Sequence, residues 1–166
     1  VNESKYIQHN PQTHEGSEGL AQLFQRLSKT GPRVNMVRGF EDGDYVFAHM
    51  EYDFSSVKVA FEVFRFENGQ AVEHWDNIQP RITPTLSGRE MLDGSTELID
   101  LDKTESNRQL ITSFVNDVLL DHKIDKIAEY VTKQSFLQHS PLIKDGLAAY
   151  QRALTATYAD ELKIRY

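Results

Sequence analysis

The sequence predicts an α+β fold: a curved antiparallel sheet with helices packed on one of its faces, closed over a conical cavity. Three observations predict it. Four strand-like runs follow one another between residues 33 and 78, separated by hairpin turns. Segments on either side of them carry apolar residues at helical spacing. And the chain repeats itself at domain distance. Tyr6-Ile7-Gln8-His9-Asn10-Pro11, with Gly16 five residues after the proline, returns at an offset of 130 as Phe136-Leu137-Gln138-His139-Ser140-Pro141 with Gly146.

The elements follow in order. Asn10-Pro11 and His14-Glu15-Gly16-Ser17 read as a loop entering a helix, with Ser17 as the expected N-cap. Leu20, Leu23, Phe24 and Leu27 recur at helical spacing, and Gly31-Pro32 ends the helix. Strands are expected at 33–40, 45–52, 57–66 and 71–78. Glu41-Asp42-Gly43-Asp44 forms one turn, and Asn68-Gly69 is the strongest hairpin signal in the chain. Residues 80–107 change character, with Pro80, Pro84, Gly88 and Gly94 breaking any periodicity; they read as a linker or wrapping arm. Leu110, Ile111, Phe114, Val115 and Val118 predict a helix over 104–120. Ile124, Ile127, Ala128 and Val131 predict one over 123–131. A third is expected over 147–158, and a strand begins at Leu162.

A period of 130 residues is the size of a whole domain, not of a solenoid repeat. The chain is therefore expected to hold the later part of one domain (1–80), a linker or arm (81–104) and the early part of a second copy (105–166), with its upstream residues missing before Val1. Spliced by the offset, the two parts give helix, helix, short strand, helix and four antiparallel strands.

Composition narrows the function. Of 166 residues, 39% are hydrophobic and 26% charged, values ordinary for a globular chain with its own core. A net charge of −7, spread along the sequence, argues against nucleic acid and anionic membranes as partners. No cysteine is present, so disulfides, thiolate metal sites and cysteine nucleophiles are excluded. No apolar run approaches the roughly 20 residues of a membrane span, and no signal peptide is visible. A cytoplasmic location is expected.

Three words in the right order resemble the SnoaL-like polyketide cyclase group of the nuclear transport factor 2-like superfamily. They are Tyr6-Ile7-Gln8-His9-Asn10-Pro11 with Gly16; Gly43-Asp44-Tyr45-Val46-Phe47-Ala48-His49; and Phe64-Arg65-Phe66-Glu67-Asn68-Gly69 running into Glu73-His74-Trp75-Asp76. The likeness covers 1–80 and 105–166. It implies a cone-shaped fold and a cofactor-independent enzyme of the aldol condensation, cyclase or isomerase type. By position it implies that Asp76 is the general acid/base and that His49 assists the substrate's oxygen. It also implies a homodimer, which the split pattern would allow to exchange helices. The superfamily includes binding and interaction modules too, so fold alone does not settle activity.

The residues themselves are compatible with that reading. On a strand, Val72, His74, Asp76 and Ile78 share one face, and a carboxylate among apolar neighbours suits proton abstraction beside a carbonyl. The alternative is a strand-end aspartate facing solvent. His49 shares its face with Tyr45, Phe47 and Glu51; it either donates to an enolate or is a satisfied interior histidine. His74 is a pocket or scaffold residue beside Asp76. His9 either binds substrate or ties its loop to the sheet. Tyr6, Phe47 and Phe61 are expected to line a pocket for a small hydrophobic molecule, or else are ordinary core. The spacing of His9, His14 and Glu15 matches no metal signature, so no metal is expected.

Overall fold

Two tight turns organise the sheet. In the computed structural model, which describes residues 1–133 and 135–164 (residues 160–164 by backbone alone), β2 (Arg33–Asp42) and β3 (Tyr45–Asp53) are joined by Gly43-Asp44. β4 (Val57–Glu67) and β5 (Gln70–Pro80) are joined by Asn68-Gly69. Asn68 has φ +50° and Gly69 φ +75°, the pair of left-handed residues whose twist matches that of the flanking strands. The chain divides into two units, Val1–Arg81 and Ile82–Tyr166.

The first unit is a five-stranded sheet in the order β1-β5-β4-β3-β2. Its meander is antiparallel, but β1 (Ile7–Gln8) pairs with β5 in parallel. The sheet is therefore mixed, not wholly antiparallel as expected. The physical reason is connectivity: a helix and three strands separate β1 from β5, long enough for a crossover to bring the chain back in the same direction. Ala48 stands opposite Glu62, and Glu62 opposite Asp76, so these three share a face. Arg38 stands opposite His49, His49 opposite Phe61, and Phe61 opposite Asn77, on the other face.

α1 (Gly16–Ser28) follows β1. Its N-cap is Glu15, in extended geometry, so the expected cap Ser17 lies inside the first turn. Gly19 is buried because the helix crosses the His14 carbonyl closely; a Cβ there would lie 1.9 Å from that oxygen. Leu20, Leu23 and Leu27 are half-buried, while Phe24 is 60% exposed.

In the second unit, a 3₁₀ turn (Leu101–Lys103) leads into α2 (Thr104–Phe114), which continues as a π-helical turn over Val115–Leu120. The expected helix over 104–120 is present, but its last part is rewound. There the Val118 carbonyl accepts the Tyr158 hydroxyl at 2.8 Å. The expected helix over 123–131 is a 3₁₀ segment, Ile124–Glu129. Val118 and Ile127 are fully buried, and Phe114 meets Tyr130 edge-on at 5.8 Å. α3 spans Leu147–Ile164, so helix continues where a strand was expected from Leu162. The last two residues of that expected strand lie outside the described residues.

The repeated words make the same local bonds. Gly16 N–H donates to the Tyr6 carbonyl at 3.2 Å, and Gly146 N–H to the Phe136 carbonyl at 2.9 Å. Asn10 N–H donates to Gln8 Oε1 at 3.0 Å, as Ser140 N–H does to Gln138 Oε1 at 3.0 Å. Among the described residues, no helix is long and apolar enough to cross a membrane.

Candidate functional site

Strand alternation decides which candidates meet. Glu62 and Asp76, opposite each other on β4 and β5, share their face with His74. Glu62, His74 and Asp76 each offer a ligand or proton-transfer atom, and those atoms lie within 4.8 Å of one another. Glu62 and His74 are buried, with 4% and 8% exposure, and Asp76 is half-buried.

Each of the three is held from outside by a neutral group. The Tyr52 hydroxyl donates to Glu62 Oε1 at 2.7 Å. His74 Nδ1 is 2.9 Å from Gln8 Oε1. The Asn10 amide donates to Asp76 Oδ2. Gln8 Oε1 already accepts the Asn10 backbone N–H at 3.0 Å, which identifies it as the oxygen end of that amide. His74 Nδ1 must then be the donor, since two acceptors cannot bond each other. That leaves Nε2 facing Glu62 Oε2 at 2.6 Å, a short separation bridged by one proton shared between carboxylate and imidazole. Phe64 stacks on the His74 ring at 4.3 Å and fixes its plane.

Two tyrosines respond to the same charges. Burial, then Glu62 and Asp76, push the Tyr6 phenol above its ordinary pKa. Burial, and after it Glu62, push Tyr52 further up still. Both hydroxyls stay protonated throughout the physiological range; Tyr52 donates to Glu62, while Tyr6 accepts the Gln8 amide at 3.4 Å.

The remaining candidates lie elsewhere. His49 faces away from Asp76: Arg38 Nη1 donates to its Nδ1 at 2.7 Å, and Phe61 stacks on its ring at 4.3 Å. The structure does not bring the expected pair His49 and Asp76 together, because they sit at opposite parities in the strand register. Phe47 stacks on Phe40 at 4.6 Å, on the face of His49. His9 bonds Glu73 at 2.9 Å and stacks on Trp75 at 4.8 Å, and its N–H donates to the His74 carbonyl at 3.0 Å. Those contacts tie the loop after β1 to β5. Of the expected substrate-binding residues, Tyr6 and His74 thus belong with Asp76, while His9, Phe47 and Phe61 do not. An open cleft of about 620 Å³ is lined by Arg33, Val34, Asn35, Glu51, Asp53 and Val57, and includes neither Asp76 nor His49.

Sequence reasoning missed Glu62, Tyr52, Gln8 and Asn10. A signal for Glu62 was present: a lone charge between Ala60 and Phe64 at strand spacing. Its partner could not be read from that pattern, since the pairing register is long-range.

No family model matches this chain, and no curated protein matches it. Two solved structures resemble part of it. TsrD from Streptomyces laurentii has a TM-score of 0.40 and 21% identity, over 45% of this chain and 67% of that one. AclR from Streptomyces galilaeus has a TM-score of 0.40 and 18% identity, over 46% of this chain and 62% of its own length.

Proposed function

We propose that the sheet face carrying Asp76 is the acid–base site of a SnoaL-like enzyme of the aldol condensation, cyclase or isomerase type. Its substrate is a small hydrophobic carbonyl compound, handled without a cofactor. The supporting observation is the convergence of Glu62, His74 and Asp76 within 4.8 Å, half of it or more out of water. In this reading Asp76 takes a proton from the carbon beside the substrate carbonyl. Tyr6, kept protonated by burial, donates to the enolate oxygen. Glu62 and His74 give their proton to the product and take up the one held by Asp76, so each turnover restores the site. His74 takes the place first expected for His49.

The same reading takes the fold as a cone-shaped nuclear transport factor 2-like sheet. It divides the chain into the later part of one domain (1–80), a linker (81–104) and the early part of a second (105–166). The recurrence of the Gly16 and Gln8 bonds at Gly146 and Gln138 supports that division. The homodimer forms through the opposite face, whose Phe40, Tyr45 and Phe61 rings are 41–50% exposed.

The test is hydrogen exchange at carbon. The chain is incubated in D₂O with a panel of cyclic and acyclic ketones, and deuterium uptake beside the carbonyl is followed by NMR. Catalysed uptake that falls about 10²–10⁴-fold in Asp76→Asn, with the circular dichroism spectrum unchanged, is the expected result. No uptake for any ketone, or full uptake in Asp76→Asn, overturns it.

A further inference from the structure

We propose that Glu62, His74 and Asp76 form a binding site for one divalent transition-metal cation of the zinc class, with Tyr52, Gln8 and Asn10 as its outer shell. The site uses the same atoms as the acid–base reading but does not depend on that reading being correct.

Charge is the first reason. Two carboxylates lie within 4.8 Å of each other and of one imidazole. Among the described residues no lysine or arginine forms an ion pair with either of them; the one recorded ion pair is Glu62 with His74. A buried carboxylate requires a compensating cation or a proton, because burial penalises its bare charge. A metal ion placed between the imidazole and the two carboxylates would supply that charge and be bound by all three groups at once.

Ligand chemistry is the second. Imidazole nitrogen and carboxylate oxygen are the donors that zinc-class ions take from protein, at about 2.0–2.2 Å. Such bonds set ligand atoms roughly 3–4 Å apart, so the three atoms need only small side-chain shifts to close on an ion.

The outer shell is the third and independent reason. A metal-binding histidine commonly donates its other ring N–H to an oxygen that fixes tautomer and ring plane. Gln8 Oε1 does this for His74 Nδ1, and Gln8 is itself oriented by the Asn10 backbone. Tyr52 holds the far oxygen of Glu62, and Asn10 the Oδ2 of Asp76. All three outer partners are neutral, so a cation placed among the ligands meets no repulsion from them. His74 Nε2 and Glu62 Oε2 now meet at 2.6 Å, so an ion enters as the two part by roughly 1 Å. Metal also occupies Asp76, so a bound ion inhibits proton abstraction.

The experiment titrates chelator-treated chain with Co²⁺ at pH 7, followed by visible absorption and by calorimetry, with no substrate present. The expected result is one ion per chain with absorption typical of low coordination number, at least tenfold weaker in Asp76→Asn. Gln8→Ala weakens it about 10–100-fold through the outer shell alone. His139→Ala, in the second unit, leaves it unchanged. No absorption change at excess Co²⁺ overturns the proposal. So does binding that Asp76→Asn and Gln8→Ala leave intact. The deuterium-exchange assay, run in chelator, stands or falls separately, so a failed metal site and a failed enzyme reading are told apart.

Discussion

Glu62 and Asp76 stand directly opposite each other on β4 and β5, two carboxylates on the same face of adjacent antiparallel strands. Like charges at directly opposed positions weaken a sheet, typically by a few tenths to one kcal/mol. Relieving that repulsion stabilises the fold, and here the relief comes at the proposed catalytic group. Asp76→Asn is expected to raise the urea midpoint at pH 7, by roughly 0.2–1 kcal/mol. The Asn10 contact survives if the new side chain turns its oxygen to the Asn10 amide N–H, because Asn10 Oδ1 already accepts the Gln12 N–H at 2.8 Å. A lower midpoint in Asp76→Asn would show that the carboxylate is structurally required.

Removing Glu62 has the opposite sign. Glu62→Ala leaves His74 buried and Tyr52 without its acceptor. Breaking a buried pair from one side costs about 3–5 kcal/mol. The Glu62→Ala, His74→Ala double variant is expected to cost less than the sum of the single changes. A double-mutant cycle by urea unfolding reads the coupling.

Glu67 contributes to the acid sensitivity of the first unit, as Glu73, lowered by His9 and Arg65, also does. Lys5, at 2.8 Å, and then Arg65 pull its carboxyl down to about 2 from an ordinary 4.5. A carboxyl with a depressed folded pKa contributes stability that is complete above the unfolded value and disappears as pH falls through the folded one. The contribution is therefore present above about pH 4.5 and lost between there and about 2. The melting temperature of Glu67→Gln is expected to fall less steeply over that window than that of the parent chain. Parallel curves would remove Glu67 from the account.

Tyr52 is expected to resist ionisation. Burial and the neighbouring Glu62 raise its phenol well above the ordinary value of 10. In an alkaline ultraviolet titration of the folded chain, exposed tyrosines ionise first. Tyr52→Phe leaves the phenolate amplitude near pH 10 unchanged, because Tyr52 contributes nothing there while the fold persists.

Gly19 permits the close passage of α1 over the loop before it. A Cβ at this position would meet the His14 carbonyl oxygen at 1.9 Å, against rigid backbone on both sides. Gly19→Ala is expected to destabilise the first unit by about 1–3 kcal/mol despite alanine's better helix propensity. A neutral or stabilising effect in urea unfolding would mean the loop yields freely.

Local chemistry made much of the fold legible. Asn68-Gly69 and Gly43-Asp44 announced two hairpins, and β-branched and aromatic runs placed the four long strands to within a few residues. Helix ends were harder. Ser17 looked like a cap, yet Glu15 takes that position, and the end of α2 is rewound where the Tyr158 hydroxyl reaches the Val118 carbonyl. Neither outcome is visible in a window of neighbouring residues. For the candidate site, the shared face of His74 and Asp76 followed from counting by two along β5. Tyr6 was named, but for its aromatic ring and not for its place beside Glu62.

By itself the sequence determined the strand meander, the turns, the placing of His74 with Asp76, and the repeated word whose hydrogen bonds recur at Gly16 and Gly146. These depend on contacts between residues near in the chain, where propensity and side-chain alternation act directly. Only the tertiary structure decided that β1 joins β5 in parallel, that Glu62 completes the cluster, and that His49 faces the other way. Pairing register is set by contacts between distant residues, and a shift of one residue carries a side chain to the opposite face.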